Sequence, residues 1–178
     1  LLKQIEVQEE EEDFNADFIA AALDLIDGLT EGMTTDIRPI LNDSIHILMQ
    51  LWSECSQLDA YPHVKQSAFA LLGDLVQYGM ELIRPYMSSL LPLVINNINA
   101  EELDASSNAI WAMGECAEQL GTDITPYCAQ LYRTLNILLQ ANIERLSDNI
   151  TITIGRLMSA SPQTSAECLQ LDLSCLEV

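Results

Sequence analysis

Apolar positions in this chain recur with the period of an α-helix. Residues 63–99 resolve into two amphipathic helices. The first carries Val64, Ala68, Leu71, Leu72, Leu75 and Val76 on one broad stripe and is expected to end at Gly79. A short turn through Arg84-Pro85 leads into the second, which supplies Met87, Leu90, Leu91, Leu93, Val94 and Ile98. Proline is tolerated at such a start because the first helical N–H has no intrahelical partner to lose. Neither helix can bury its stripe alone, so the pair needs neighbours on both sides.

The same pattern supplies those neighbours. Residues 14–33 read as a helix with Phe18, Ala21, Ala22, Leu25, Ile26 and Leu29 as its apolar positions, and residues 37–57 as a single helix after it. Residues 58–62 form a turn. Helices are predicted again over 103–120, 124–140 and 143–159, and another begins at Ser161. In the stretch Ile150-Thr-Ile-Thr-Ile154-Gly the alternation alone fits a strand, and β-branched residues lower helix propensity. The register of the surrounding pattern overrides that and predicts helix. Residues 1–7 read as the tail of a helix, and the acidic run Glu9–Asp13 as a solvated linker.

The unit repeats. Gly73, Gly114 and Gly155 are evenly spaced, and Gly28 precedes Gly73 by a slightly longer interval. After Gly28, Gly73 and Gly114, a proline follows roughly three helical turns later, as Arg38-Pro39, Arg84-Pro85-Tyr86 and Thr125-Pro126-Tyr127. Two helices per period of about 40 residues is the signature of HEAT or armadillo arrays. The fold class expected is therefore all-α: a right-handed α-solenoid of antiparallel HEAT helix pairs. It forms one segment over 1–178, with repeat pieces near 1–35, 36–81, 82–121, 122–160 and 161–178. Gly73 and Gly114 sit inside helices, where close helix packing is the simplest reason for them. Neither end has the polar outer face of a capping repeat, which is what a segment of a longer array would show.

Composition adds limits. Apolar residues make up 49% of the chain, too many for a disordered one. The apolar runs are helical stripes too short to span a bilayer, and the start LLKQIEV lacks the flanks of a signal peptide. Cys55, Cys116, Cys128, Cys168 and Cys175 are widely spaced, without a CxxC, and read as reduced, buried thiols. His46 and His63 belong to no metal-spaced cluster, and no catalytic or phosphate-loop motif is present, so neither catalysis nor a cofactor is expected. The net charge of −20 disfavours nucleic acid and anionic membranes and favours a basic protein segment.

Solenoids bind through long surfaces lined by one helix of each pair. In the helix over 103–120, Leu103, Ser107 and Trp111 share a stripe beside the small residues Ala105, Ala109, Ala112 and Cys116, which face the core. Gln66 and Asp74 share a face, as do Asp24 and Glu31. Asp24, Asp27 and Glu31 stand at helical spacing, which on a solvated helix is ordinary. Helical spacing by itself also allows Trp111 to be a core residue and the carboxylates to be merely solvated.

The segments ALDLIDGLTEG, VKQSAFALLGDL, NAIWAMGE and NITITIGRL, followed by SPQ, resemble the C-terminal HEAT repeats of the transportin family of karyopherin-β nuclear import receptors. The resemblance is collinear over about 14–170. It implies a concave inner surface that binds extended, basic localisation signals of the proline-tyrosine type. Carried over by position, the cargo-contacting residues are Asp24, Glu31, Gln66, Asp74, Leu103, Ser107, Trp111, Asn149 and Ile152. The indole is then expected on an apolar part of the signal and the carboxylates on its Lys and Arg. Ser107 stands where the family usually has asparagine. The family's Ran GTPase site, its long acidic release loop and its main proline-tyrosine pocket fall in repeats upstream of this chain. Nucleoporin contacts and a location in both cytoplasm and nucleus go with the same resemblance. The alternative from another class is a HEAT scaffold of the phosphatase-subunit kind, holding folded partners.

Overall fold

The computed structural model describes the backbone of residues 2–174 and the side chains of residues 15–169. Its helices are α1 (Leu2–Met33), α2 (Arg38–Leu41), α3 (Ile45–Cys55), α4 (Pro62–Ile83), α5 (Met87–Asn96), α6 (Leu103–Leu120), α7 (Thr125–Gln140), α8 (Glu144–Ala160) and α9 (Pro162–Ser174). Three 3-10 turns, Thr34–Ile37, Arg84–Tyr86 and Gly121–Ile124, join members of pairs. There is no strand among the described residues, and Ile150–Ile154 lies within α8. None of the helices searched among them is long and apolar enough to cross a membrane.

The glycine-bearing helices α1, α4, α6 and α8 pack side by side as one row. Behind them α3, α5, α7 and α9 form a second row. This is the α-solenoid of HEAT-type pairs that the even spacing of Gly73, Gly114 and Gly155 demands. The core lies between the rows. Val64, Ala68, Leu71, Leu72, Leu75 and Val76 of α4 are fully buried, as are Ala109, Ala112 and Cys116 of α6. From the second row, Trp52 of α3 enters this core. Its Nε1 donates to the Ala68 carbonyl at 2.5 Å, and its ring meets Phe69 edge-on at 5.8 Å.

Several local expectations are corrected. Gly79 does not end α4; it adopts a non-helical φ of −124° and ψ of 18°, and the helix resumes to Ile83. The stretch 37–57 is not one helix: α2 is a single turn, residues 42–44 form a turn, and α3 starts at Ile45. Glu9–Asp13 is not a linker, since the α1 backbone runs through it; glutamate is a good helix former wherever its side chain can stay in water. Within α1 the buried face is Ala16, Ala20, Leu23 and Thr30, whereas Phe18 is 71% and Leu25 64% exposed. Two apolar faces compete on this helix. The slimmer one docks on α4, where small side chains allow close approach, and no described element covers the other.

The recurring Arg-Pro pairs tie successive repeats. Arg38 donates through Nε to the Tyr78 carbonyl at 2.7 Å and pairs with Glu81 at 3.2 Å. Arg84 donates to the Gln119 carbonyl at 3.2 Å and pairs with Asp123 at 3.0 Å. Each guanidinium thus donates to a carbonyl in the closing turns of the next glycine-bearing helix. At the third position Thr125 stands in place of arginine, and its hydroxyl meets that of Ser161 at 3.0 Å. Gly121 closes α6 with φ of 56° and ψ of −128°, backbone that side-chain-bearing residues rarely adopt.

Candidate functional site

All nine residues singled out by sequence lie on the glycine-bearing row: Asp24 and Glu31 on α1, Gln66 and Asp74 on α4, Leu103, Ser107 and Trp111 on α6, Asn149 and Ile152 on α8. Asp24, Glu31, Gln66 and Ile152 are exposed, and Leu103, Ser107, Trp111 and Asn149 are half-buried. Asp74 is only 8% exposed, deeper than a merely solvated carboxylate.

The structure joins these residues in adjacent groups. Asp24 and Gln66 line one hollow of about 280 Å³ between α1 and α4. Gln66 and Leu103 line the next, of about 420 Å³. Asn149 donates through Nδ2 to the carbonyl and hydroxyl of Ser107 at 3.1 and 3.0 Å, so these two polar groups already satisfy each other in part. The same bond occurs one repeat earlier, where Asn108 donates to the Gln66 carbonyl at 3.0 Å. Ile152 borders a groove of about 590 Å³ with Gly155, Arg156, Gly121 and Glu118.

Trp111 is neither a core residue nor a free one. Its six-membered ring lies over Gly73 of α4, where a Cβ would collide with Cζ3, Cε3 and Cη2. The glycine therefore makes the seat for the indole. Gly114 has the same function toward α8: a Cβ there would stand 2.8 Å from Thr153 Oγ1 and 3.2 Å from an Arg156 guanidinium nitrogen. Gly28 and Gly155 have open space instead.

Electrostatically the row is divided. Toward α8, Glu115 is paired with Arg156 at 2.5 Å, and Arg156 also reaches Glu118 at 3.1 Å. Toward α1, Asp27 joins Asp24, Glu31 and Asp74. No ion pair among the described residues involves any of these four. Burial, reinforced by the charges of Asp74, Asp24 and Glu31 and by a hydrogen bond with Asp74, pushes Asp27 up to about 7. Burial also raises Asp74, with Glu31 and Glu115 adding to it and the hydrogen bond to Asp27 opposing. Among the described residues, no three His, Cys, Asp or Glu side chains converge as a metal site would need.

Sequence reasoning left Asp27, Glu115 and Arg156 off the candidate face. The available signal was register: Asp27 precedes its repeat glycine, while Asp74, Glu115 and Arg156 each follow theirs directly. Which of them meet across helices depends on how the helices rotate against one another.

The row of glycine-bearing helices, backed by its second row, is an α-solenoid of HEAT-type pairs. The chain belongs to the family described as importin subunit beta-1-like, TPR repeats, whose model matches residues 2–164. The glycine period exceeds the spacing of about 34 residues in a tetratricopeptide unit and keeps the geometry HEAT-like. Among relatives, Transportin-1 of Homo sapiens and of Mus musculus are each 37% identical over 156 residues, covering 86% of this chain and 17% of theirs. Importin subunit beta-2 of Schizosaccharomyces pombe is 36% identical over 159 residues, covering 87% of this chain and 17% of its own. The chain thus spans about a sixth of the length of these relatives.

Proposed function

We propose that this chain forms part of the concave cargo-binding face of a transportin-like nuclear import receptor and captures extended, basic localisation signals of the proline-tyrosine type. The observation that carries this reading is the group Asp24, Asp27, Glu31 and Asp74, which takes part in no ion pair among the described residues, one helix away from the half-buried indole of Trp111. Lys and Arg of the signal meet the carboxylates; an apolar signal residue meets Trp111 and Ile152; Gln66, Leu103, Ser107 and Asn149 line the path between. Capture is non-covalent and requires neither catalysis nor a cofactor. Ran and nucleoporin contacts, and shuttling between cytoplasm and nucleus, belong to the whole receptor on this reading.

The test is binding of a basic, apolar-anchored synthetic peptide to the purified chain, followed by fluorescence anisotropy. Raising salt from about 0.1 to about 1 M shortens the screening length from about 10 to about 3 Å, and affinity should fall steeply. Asp24→Asn and Glu31→Gln should each weaken binding by about 1 kcal/mol, through lost contacts and steering. An interaction indifferent to salt and to both substitutions returns the chain to the scaffold class.

A further inference from the structure

Large apolar side chains stay exposed mainly at one end of the solenoid. They are Phe18, Leu25 and Leu29 of α1, Ile40 of α2, and Ile47 and Leu51 of α3. On α3 the flank toward α5 carries His46, Met49, Gln50 and Ser53, which line a hollow of about 350 Å³ with Tyr86 and Ser89. Ile47 and Leu51 lie off that flank, at the end of the second row. At these exposures the six side chains leave on the order of 600 Å² of apolar surface open. That is the top of the range of about 300–600 Å² for the largest patch on a monomer, and it approaches the about 800 Å² that each partner of a stable dimer buries.

The α1 part of this surface has the spacing of a helix-pairing seam. Phe18, Ala22, Leu25 and Leu29 follow one another at intervals of four, three and four, as the seam positions of a coiled coil do. All four are exposed, on the side of α1 opposite Ala16, Ala20, Leu23 and Thr30. The positions flanking the seam, Ala21 and Gly32 on one side and Asn15 and Met33 on the other, carry no charge. A Cβ added at Gly32 would meet nothing within 4 Å, so a second backbone can come close there. The acidic residues of this stretch all lie on the other half of the helix. Asp17 pairs with His63 of α4 at 3.2 Å, Asp24 lines the α1–α4 hollow, and Asp27 adjoins Asp74. On a chain of net charge −20 this seam is a face where two copies can meet without opposing like charges.

We infer that the open seam of α1 docks a second copy of this chain, with the two α1 helices antiparallel across a two-fold axis. A two-fold contact uses the same patch twice, so the seam must complement itself. It does: Phe18 falls opposite Leu29 of the second copy, and Ala22 opposite its Leu25, large against small as close packing requires. The glycine-bearing row thereby continues from one copy into the other, and Asp24, Gln66 and Trp111 stay outside the contact. The inference is independent of the peptide-binding reading.

Sedimentation equilibrium of the full chain tests this. Monomer and dimer should interconvert with a micromolar dissociation constant, as befits a contact at the small end of specific interfaces. Raising salt from about 0.05 to about 0.5 M screens the repulsion between two acidic copies and should tighten the dimer several-fold. Basic-peptide binding should respond to salt in the opposite sense. Leu25→Asp should raise the dissociation constant at least about tenfold, because an unpaired carboxylate is costly to bury. Ala22→Glu should do the same and keeps a good helix former in α1. Both sites are exposed in the single copy, so far-UV melts at low concentration should match those of the unaltered chain. Ile137→Asp, at an exposed apolar site of α7, should leave the dimer intact. A chain that stays monomeric throughout, or a dimer that survives Leu25→Asp and Ala22→Glu, overturns the inference. So does association lost equally on Ile137→Asp, or open-ended oligomers in place of a dimer.

Discussion

The indole of Trp111 lies on Gly73, occupying the space where any other residue would carry its Cβ. The contact joins α6 to α4.

Gly73→Ala should force the ring off its seat and destabilise the chain by about 1–3 kcal/mol, as overpacking does. In the Trp111→Ala background the same change should cost far less, since the obstacle is gone. Urea unfolding of the two single variants and the double one reads this coupling directly. Additive effects would mean that the ring does not rest there. Gly155→Ala, with open space around it, should instead stabilise α8 by about 0.5–1 kcal/mol.

Trp111→Ala alone should lower stability by about 1–2 kcal/mol. That is less than the 3–5 kcal/mol or so of a fully buried aromatic, because the residue is only half-buried. Its loss of affinity for a basic, apolar-anchored peptide should be about 2 kcal/mol or more, as for an aromatic hot spot. Thermal melts and anisotropy on the same protein separate the two effects. A large stability loss with unchanged affinity would make Trp111 a packing residue only.

Lys65 is 2% exposed, and its Nζ donates to Asp59 at 2.7 Å, Asn97 at 3.2 Å and Glu102 at 2.9 Å. This single ammonium gathers the turns before α4 and before α6. Lys65→Met removes it and leaves Glu102 partly buried without its cation. The cost expected is about 3 kcal/mol in denaturant unfolding. Lys65→Met with Glu102→Gln together should recover part of it.

Folding should also depend on pH through Asp27. The folded group titrates at about 7 against an ordinary 3.8, so the folded state binds more protons than the unfolded one between these values. Stability contributed by the proton is fully present below about 4, is lost as pH rises toward 7, and is flat above. Asp74, also raised, acts in the same direction. Melting temperatures of Asp27→Asn and the unaltered chain, compared from acidic to neutral pH, should converge at the acidic end and separate toward neutrality. Parallel curves would exclude the raised titration.

Asn149→Ala should loosen α8 from α6 by about 1 kcal/mol through loss of its bonds to Ser107. Asn149→Asp should be worse, because an acceptor would then face the Ser107 carbonyl. Hydrogen exchange in α8 is the sensitive measure.

The sequence by itself determined the helical class, the period and the core of the central repeats. These follow from a helical-period stripe in α4 and α6 and from glycines at fixed spacing, properties that each helix carries locally. It also placed the candidate residues together on the glycine-bearing row, because register carries over from one repeat to the next. Only the tertiary structure decided which face of α1 is buried. That helix offers two apolar faces, and close packing on α4 selected Ala16, Ala20 and Leu23 over Phe18 and Leu25. The break between α2 and α3, and the continuation of α4 past Gly79, are likewise features of the folded chain that the stripe pattern did not give. The Asp27–Asp74 pair and the seat of Trp111 on Gly73 each join residues a full repeat or so apart in sequence. No local pattern encodes such contacts, since they depend on how far one helix rotates against the next when both are packed.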